Sequence, residues 1–232
     1  MNDYPYNAGR VDAVTIPDAR NRVLRNTYWL LALSMIPTVL GAWIGVRTGF
    51  SLFANTSPVM SLVAFMAIAF GLMFVINRTK NSATGVFVLL AFTFFMGLML
   101  ARLLGFVLGF SNGASLIMLA FGGTGVIFAT MATVATVSKR SFMGLGKWLF
   151  AGLIVIILAA VANMFLHMPA LMLAVSVLAI VIFSAYILFD VQRIVNGGET
   201  NYIMATLAIY LDLYNIFTNL LMLLGVLGGN RR

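Results

Sequence analysis

Two aspartates near the end of the sequence are the residues best suited to do chemistry. Asp190 and Asp212 lie within long apolar stretches, whereas the other four acidic residues lie in polar segments. A carboxylate at membrane depth costs about 2.5–3.5 kcal/mol on insertion scales, so such residues usually face a bundle interior and often mark an ion path. Carboxylate oxygens are also ligands that calcium prefers. The pair therefore predicts a site for a cation or a proton.

Further polar side chains share a helix face with each aspartate. Asn215 follows Asp212 by three residues, and Asn219 follows Asn215 by four. Tyr186 precedes Asp190 by four residues. Helical residues three or four apart lie on one face. Such a stripe could simply hold helices together by hydrogen bonds, but Asn, Ser or Thr would do so at lower cost than acids. Because calcium takes six to eight oxygens, we expect only weak, transient calcium contact at Asp190 and Asp212, and no resident cofactor.

Composition excludes a water-soluble enzyme. Of the 232 residues, 62% are hydrophobic and 9% are charged, and the mean hydropathy is +1.05. Soluble domains contain about 25% charged residues. The absence of cysteine excludes disulfides, zinc–thiolate sites and a thiol nucleophile. The partner predicted by this composition is a lipid bilayer, and the basic residues indicate topology rather than nucleic-acid binding.

The apolar runs predict an all-α integral membrane protein. A polar cytoplasmic tail (1–26), with Asn26 or Thr27 as a helix N-cap, precedes a single multi-pass membrane domain (27–232). The predicted spans are 28–46, 59–76, 84–104, 114–137, 148–166, 170–191 and 202–227. The fifth and sixth are so closely joined that six spans remain an alternative. Lys and Arg concentrate in the tail and the even-numbered loops, which predicts a cytoplasmic N-terminus.

Catalytic interpretations fit the sequence poorly, and we expect no enzyme. Two aspartates on adjacent helices also describe intramembrane aspartyl proteases, which is the minor alternative. However, that class has a Gly-x-Gly-Asp pattern, which is absent before Asp212, and its Pro-Ala-Leu follows the second aspartate, whereas here it begins at Pro169. The single histidine, His167, lies at a loop edge, so a serine–histidine site is not expected.

Several segments resemble a known family. They are FGGTGVIF (121–128), SFMGLG (141–146), SAYILFDVQRI (184–194), NGGETNY (196–202) and LAIYLDLYNIFTNLL (207–221). Together they resemble the Bax inhibitor-1 (transmembrane BAX inhibitor motif) family, nearest to its bacterial branch, which includes the modulator of the FtsH membrane protease. The resemblance covers most of 84–227; upstream it rests mainly on hydropathy.

The resemblance implies a fold, a site and a location. The fold would have seven transmembrane helices, six of them surrounding a central C-terminal helix. Asp190 and Asp212 would form a hydrogen-bonded dyad that senses pH and gates a calcium leak. Relatives pair the first aspartate with an arginine that ends the second helix, and Arg78 is the matching residue, although it could equally be a topology signal. The bacterial branch implies a multi-pass protein of the cell inner membrane.

Two functional hypotheses follow. The first is a pH-sensitive calcium leak channel centred on the aspartate dyad. The alternative is a non-conducting regulatory membrane protein that binds and modulates a membrane-embedded protease of the FtsH kind. A modulator needs the N-terminal tail as an accessible handle, whereas a pore does not, so the tail separates the two hypotheses.

Overall fold

The protein is a bundle of seven long helices. The structure, a computed structural model, describes residues 16–50 and 57–229, and this part of the chain contains no strand. The helices are α1 (Ile16–Thr48), α2 (Pro58–Thr79), α3 (Ala83–Leu108), α4 (Gly113–Val137), α5 (Gly146–Leu166), α6 (Pro169–Val195) and α7 (Tyr202–Gly228), with a 3-10 turn at Met143–Leu145. All seven are long and apolar enough to cross a membrane. The predicted all-α, seven-span membrane fold is confirmed, and the six-span alternative is wrong.

Local signals explain most helix boundaries. His167 adopts a left-handed conformation (φ 51°) that ends α5, and Pro169 occupies the first turn of α6, as predicted. Asn201 caps α7, since its side-chain oxygen accepts the N–H groups of Ile203 and Met204 at 3.0 and 3.1 Å. These two signals separate the last three helices.

The first helix is longer than the sequence indicates. The predicted N-cap at Asn26 or Thr27 is wrong, because α1 already begins at Ile16 and the Thr27 hydroxyl donates to the Val23 carbonyl within the helix. A span needs only about 20 residues, so α1, with 33 residues, continues into the polar segment. Residues 16–26 of the predicted tail are therefore helical, and residues 1–15 lie outside the described part.

Glycines permit close packing of α1 on α3. A Cβ atom added at Gly97 would lie 2.1 Å from the Thr38 carbonyl oxygen, and one at Gly41 would lie 2.3 Å from that of Phe94. No side chain fits at such distances, so glycine lets the two backbones touch. This α1–α3 seam fixes the position of α1 against the bundle.

The last helix is buried, but its surroundings differ from the expected ring. Helix α7 packs against α1, α2, α3, α4 and α6, whereas α5 packs mainly on α6. Buried residues occur along α7 from Ile203 to Gly225. The arrangement in which all six other helices surround α7 is therefore not confirmed, because α5 packs mainly on α6.

Candidate functional site

The structure brings the two membrane aspartates together. Helices α6 and α7 pack side by side, and the carboxyl groups of Asp190 and Asp212 lie close enough to interact electrostatically. Asp212 is 5% exposed, and among the described residues its Oδ2 atom has no hydrogen-bond donor. Two carboxylates can bond only if one carries a proton, because two negative charges in a low-dielectric site repel. The proton-sharing dyad of Asp190 and Asp212 therefore stays a prediction.

The predicted polar stripe is arranged differently from a ligand cage. Tyr186 lies close enough to both aspartates to interact with them electrostatically. The Asn215 amide instead donates to the Leu211 carbonyl, and the Asn219 amide to the Asn215 carbonyl, both at 2.8 Å. Each amide therefore donates within α7, and no hydrogen bond joins Asn215 or Asn219 to either aspartate in the described part of the chain. Within 16–50 and 57–229, no group of three or more acidic, histidine or cysteine side chains could hold a metal ion.

The predicted latch residue does not contact the pair in this structure. Arg78 is exposed at the end of α2. The single ion pair found in the described part of the chain joins Arg193 to Glu199 at 3.2 Å. These two residues are also the charged groups that act on Asp190 beside its aspartate partner. Arg193 lies near Asp190 because it follows Asp190 by three residues on the same helix.

A network of hydrogen bonds ties three loops together at one end of the bundle. The Gln192 side chain, 3% exposed, donates to the Arg140 carbonyl at 2.7 Å and accepts the N–H of Phe142. The Asn201 amide donates to the Lys80 carbonyl and the Asn81 side chain, both at 2.9 Å. The α2–α3 loop is thus joined to the α6–α7 loop, and the α4–α5 loop to the last turns of α6. All three loops lie at the same end of the bundle, because the helices alternate in direction.

Sequence reasoning missed these linking residues. Gln192 is an amide in an apolar helix, and Asn201 directly precedes an apolar run, which is a recognisable capping position. It also missed Tyr210, which is 1% exposed and whose hydroxyl is 2.9 Å from that of Thr38. A tyrosine four residues before another tyrosine, Tyr214, on a membrane helix was the available signal.

A large cavity lies away from the aspartates. It has a volume of about 750 Å³ and is lined by residues of α1, α3, α4 and α7. Tyr210 and Tyr214 line it, and Asp190 and Asp212 do not. Since residues two apart on a helix point about 200° apart, the cavity and the carboxyl pair lie on opposite faces of α7.

Comparison with known proteins decides the family. A sequence profile described as "Inhibitor of apoptosis-promoting Bax1" matches residues 20–230. The chain belongs to the Bax inhibitor-1 family. The match extends well upstream of residue 84, so α1 and α2 share more with the Bax inhibitor-1 family than their hydropathy.

Bacterial members of the Bax inhibitor-1 family are similar over nearly the whole chain. The Modulator of FtsH protease YccA of Escherichia coli K12 is 39% identical over 205 residues, which are 88% of this chain and 90% of that protein. An uncharacterized membrane protein of Vibrio cholerae is 38% identical over 210 residues, covering 90% and 92%. An uncharacterized protein of Neisseria meningitidis serogroup A is 34% identical over 212 residues, covering 91% and 93%. The predicted bacterial branch is confirmed.

Proposed function

We propose that this protein is a regulatory protein of the bacterial inner membrane that binds and modulates a membrane-embedded protease. The observation that carries the proposal is its 39% identity to the Modulator of FtsH protease YccA, over 88% of this chain. The Inner membrane protein YccA of Escherichia coli O6:H1 is also 39% identical over 205 residues. The family match covers residues 20–230, which include nearly all of the seven helices.

The end of the bundle that carries the three linked loops supports this proposal. Gln192 and Asn201 hold these loops in fixed positions. The Arg20 side chain at the start of α1 lies beside Gly197 in the α6–α7 loop, so the first turns of α1 belong to the same end. Preordered surfaces bind partners at lower entropic cost. We propose that this end is cytoplasmic, because it carries most of the loop arginines and lysines.

Degradation of a membrane substrate tests the modulator function. The full chain, co-expressed with an FtsH-type protease, should co-purify with it and change the half-life of a reporter substrate severalfold. Deletion of residues 1–15 should abolish the change, because the tail is the proposed handle. A matched control deletes Asn230, Arg231 and Arg232 at the other terminus and should behave as the full chain. An unchanged half-life with the full chain would contradict the proposal.

A second candidate function is the pH-sensitive calcium leak, favoured by the facing carboxyl groups of Asp190 and Asp212. Purified protein in liposomes should then admit calcium at a rate that depends on pH. Asp190→Asn and Asp212→Asn should each alter that dependence, and the deletion of residues 1–15 should not. Arg193→Gln should affect flux more than Arg78→Gln, because Arg193 is the closer charge in this structure. Unchanged flux in the double aspartate variant would leave the aspartates as structural residues.

The proposed orientation has its own test. With seven crossings, a reporter fused after Arg232 should lie on the periplasmic side while one at the N-terminus lies in the cytoplasm. Protease accessibility of the two reporters in inverted membrane vesicles measures this. Reversed accessibility would place the linked loops outside and remove the proposed contact with a cytoplasmic protease domain.

A further inference from the structure

The cavity on α7 is a groove that opens on the lipid-facing surface of the bundle. It lies between α1 and α4, and parts of α3 and α7 form its floor. Val39 and Phe121 on its rim are 62% and 65% exposed, whereas Leu100 and Tyr210 at its floor are buried. The groove is therefore accessible from the bilayer and closed toward the core.

Four of the five hydroxyl groups on the groove wall, all but that of Tyr28, have hydrogen-bond partners within the described part of the chain. Those of Thr38 and Tyr210 are bonded to each other, that of Thr124 donates to the Ala120 carbonyl at 2.8 Å, and that of Tyr214 donates to a backbone carbonyl at 3.3 Å. A buried polar group is costly only when it loses its partner. Hydrocarbon can therefore cover these hydroxyls without breaking a hydrogen bond.

Two glycines keep the groove open on its α4 side. Gly122 and Gly125 both line it, and a Cβ atom added at either would meet no atom within 4 Å. Glycine at these positions is therefore not required for contact between helices, in contrast to Gly97. The space beside them is wide enough to be filled from outside the bundle.

The two ends of the groove differ in a way that selects an orientation for its occupant. At one end Tyr28 meets Phe128 edge to face, with ring centroids 5.8 Å apart. At the other end the Arg47 guanidinium lies over the Trp43 ring, 6.0 Å from its centroid. Trp is typical of the membrane interface, and Arg binds phosphate with its planar donors. An apolar tail in the groove with a phosphate at Arg47 fits both ends.

The polar end of the groove decides between a lipid chain and a partner helix. The wall of the groove runs along α1 from Tyr28 to Val46, about 27 Å at 1.5 Å per residue. The Arg47 guanidinium beside Trp43 supplies a phosphate-binding group at the membrane interface. A phospholipid uses such a group, whereas an apolar helix does not.

We propose that this groove binds an acyl chain of one phospholipid, taken from the leaflet at the C-terminal end of α1. The phosphate of that lipid is held by Arg47, and its chain lies against Gly122, Gly125 and the Thr38–Tyr210 pair. The site is independent of the aspartate pair on the opposite face of α7.

Native mass spectrometry of the full chain, titrated with phosphatidylglycerol in mild detergent, tests the site. The wild type should retain one lipid tightly, and Gly122→Leu and Gly125→Leu should each weaken that binding about tenfold or more, equivalent to about 1.4 kcal/mol. Gly105→Leu on α3 and Gly71→Leu on α2 are matched controls, because their Cβ atoms also meet open space and neither lines the groove. Both controls should bind as the wild type does, and helix content and gel-filtration profile verify that every variant is folded.

The contact between Arg47 and the lipid phosphate is tested separately. Arg47→Gln should weaken phosphatidylglycerol binding severalfold and leave the binding of diacylglycerol, which has no phosphate, unchanged. Inorganic phosphate alone should not displace the lipid, because the chain supplies most of the contact. Equal binding by wild type, Gly122→Leu and Gly125→Leu would overturn the proposal. Equal losses in the two control variants would do so as well, as would specific cross-linking of Phe121 to a partner helix.

Discussion

The two faces of α7 place polar groups in a membrane protein in opposite ways. On the α6 side, Asp212 is buried near the carboxyl group of Asp190 on the neighbouring helix. On the groove side, Tyr210 and Tyr214 complete their hydrogen bonds with Thr38 and a backbone carbonyl. The first face must be covered by protein to be stable, whereas the second can be left to lipid. Our two proposals therefore assign proton exchange and lipid binding to opposite faces of one helix.

Introducing a leucine on each side of α7 should give the largest difference in the free energy of unfolding. Ala179 on α6 is 1% exposed and precedes Asp190 by eleven residues, three turns along the same face. Ala179→Leu should lower the free energy of unfolding by about 1–3 kcal/mol, because a packed core does not accept extra methylenes. Gly122→Leu in the groove should cost nothing and should add helix propensity. Unfolding in mixed micelles, followed by circular dichroism, measures both.

Equal losses in the two variants would show that the groove is closed by protein in the membrane and would end the comparison. A small loss for Ala179→Leu alone would show that the α6 side is loosely packed. Ala179→Val, which adds less bulk, should fall between wild type and Ala179→Leu if packing is the cause.

Protonation should change the stability of the protein only through the α6 face of α7. Loss of the shared proton leaves two negative charges facing each other, so the wild type should become less stable as pH rises through that step. For one proton the change is at most about 1.4 kcal/mol per pH unit. The Asp190→Asn/Asp212→Asn double variant should show no such step. Thermal unfolding at a series of pH values measures the difference, and parallel curves for the two proteins would mean that the carboxyl groups share no proton.

The groove face should show the smallest effect. Tyr210→Phe removes a hydroxyl whose bond to Thr38 lies within a helix bundle, where such bonds average about 0.6 kcal/mol. A double-mutant cycle with Thr38→Val should return a coupling energy of that size, independent of pH. Tyr214→Phe, whose hydroxyl bonds a backbone carbonyl instead, is the control and should show no coupling to Thr38→Val.

The sequence predicted the helices well, because hydropathy and turn residues act locally. All seven predicted spans lie within their helices, and six of them agree with the helix at both ends to within about four residues. Pro169 marks the start of α6, as expected. The start of α1 was missed because a helix can continue through polar residues once a bilayer anchors it. Asp190 and Asp212 stood out because an acid is costly in any apolar segment.

Relations between helices were harder to predict. The choice of Arg78 as a partner for Asp190 depends on how α2 and α6 are placed, and in this structure Arg193 lies nearer. The groove leaves no motif in the sequence, because it arises where α1 and α4 diverge over α7. Gly122 and Gly97 look alike in the sequence, yet one faces open space and the other touches a backbone.

The length of α1 has a mechanical consequence. Its 33 residues extend about 50 Å, whereas the hydrocarbon core is about 30 Å thick. An enzyme that grips the chain ahead of Ile16 and pulls would therefore load a rigid rod rather than a loose linker. The rod is anchored where Gly41 and Gly97 let it touch α3. Pro37, which lacks an N–H and so omits one helical hydrogen bond, directly precedes the Thr38 contact of that anchor and is where the rod would yield first.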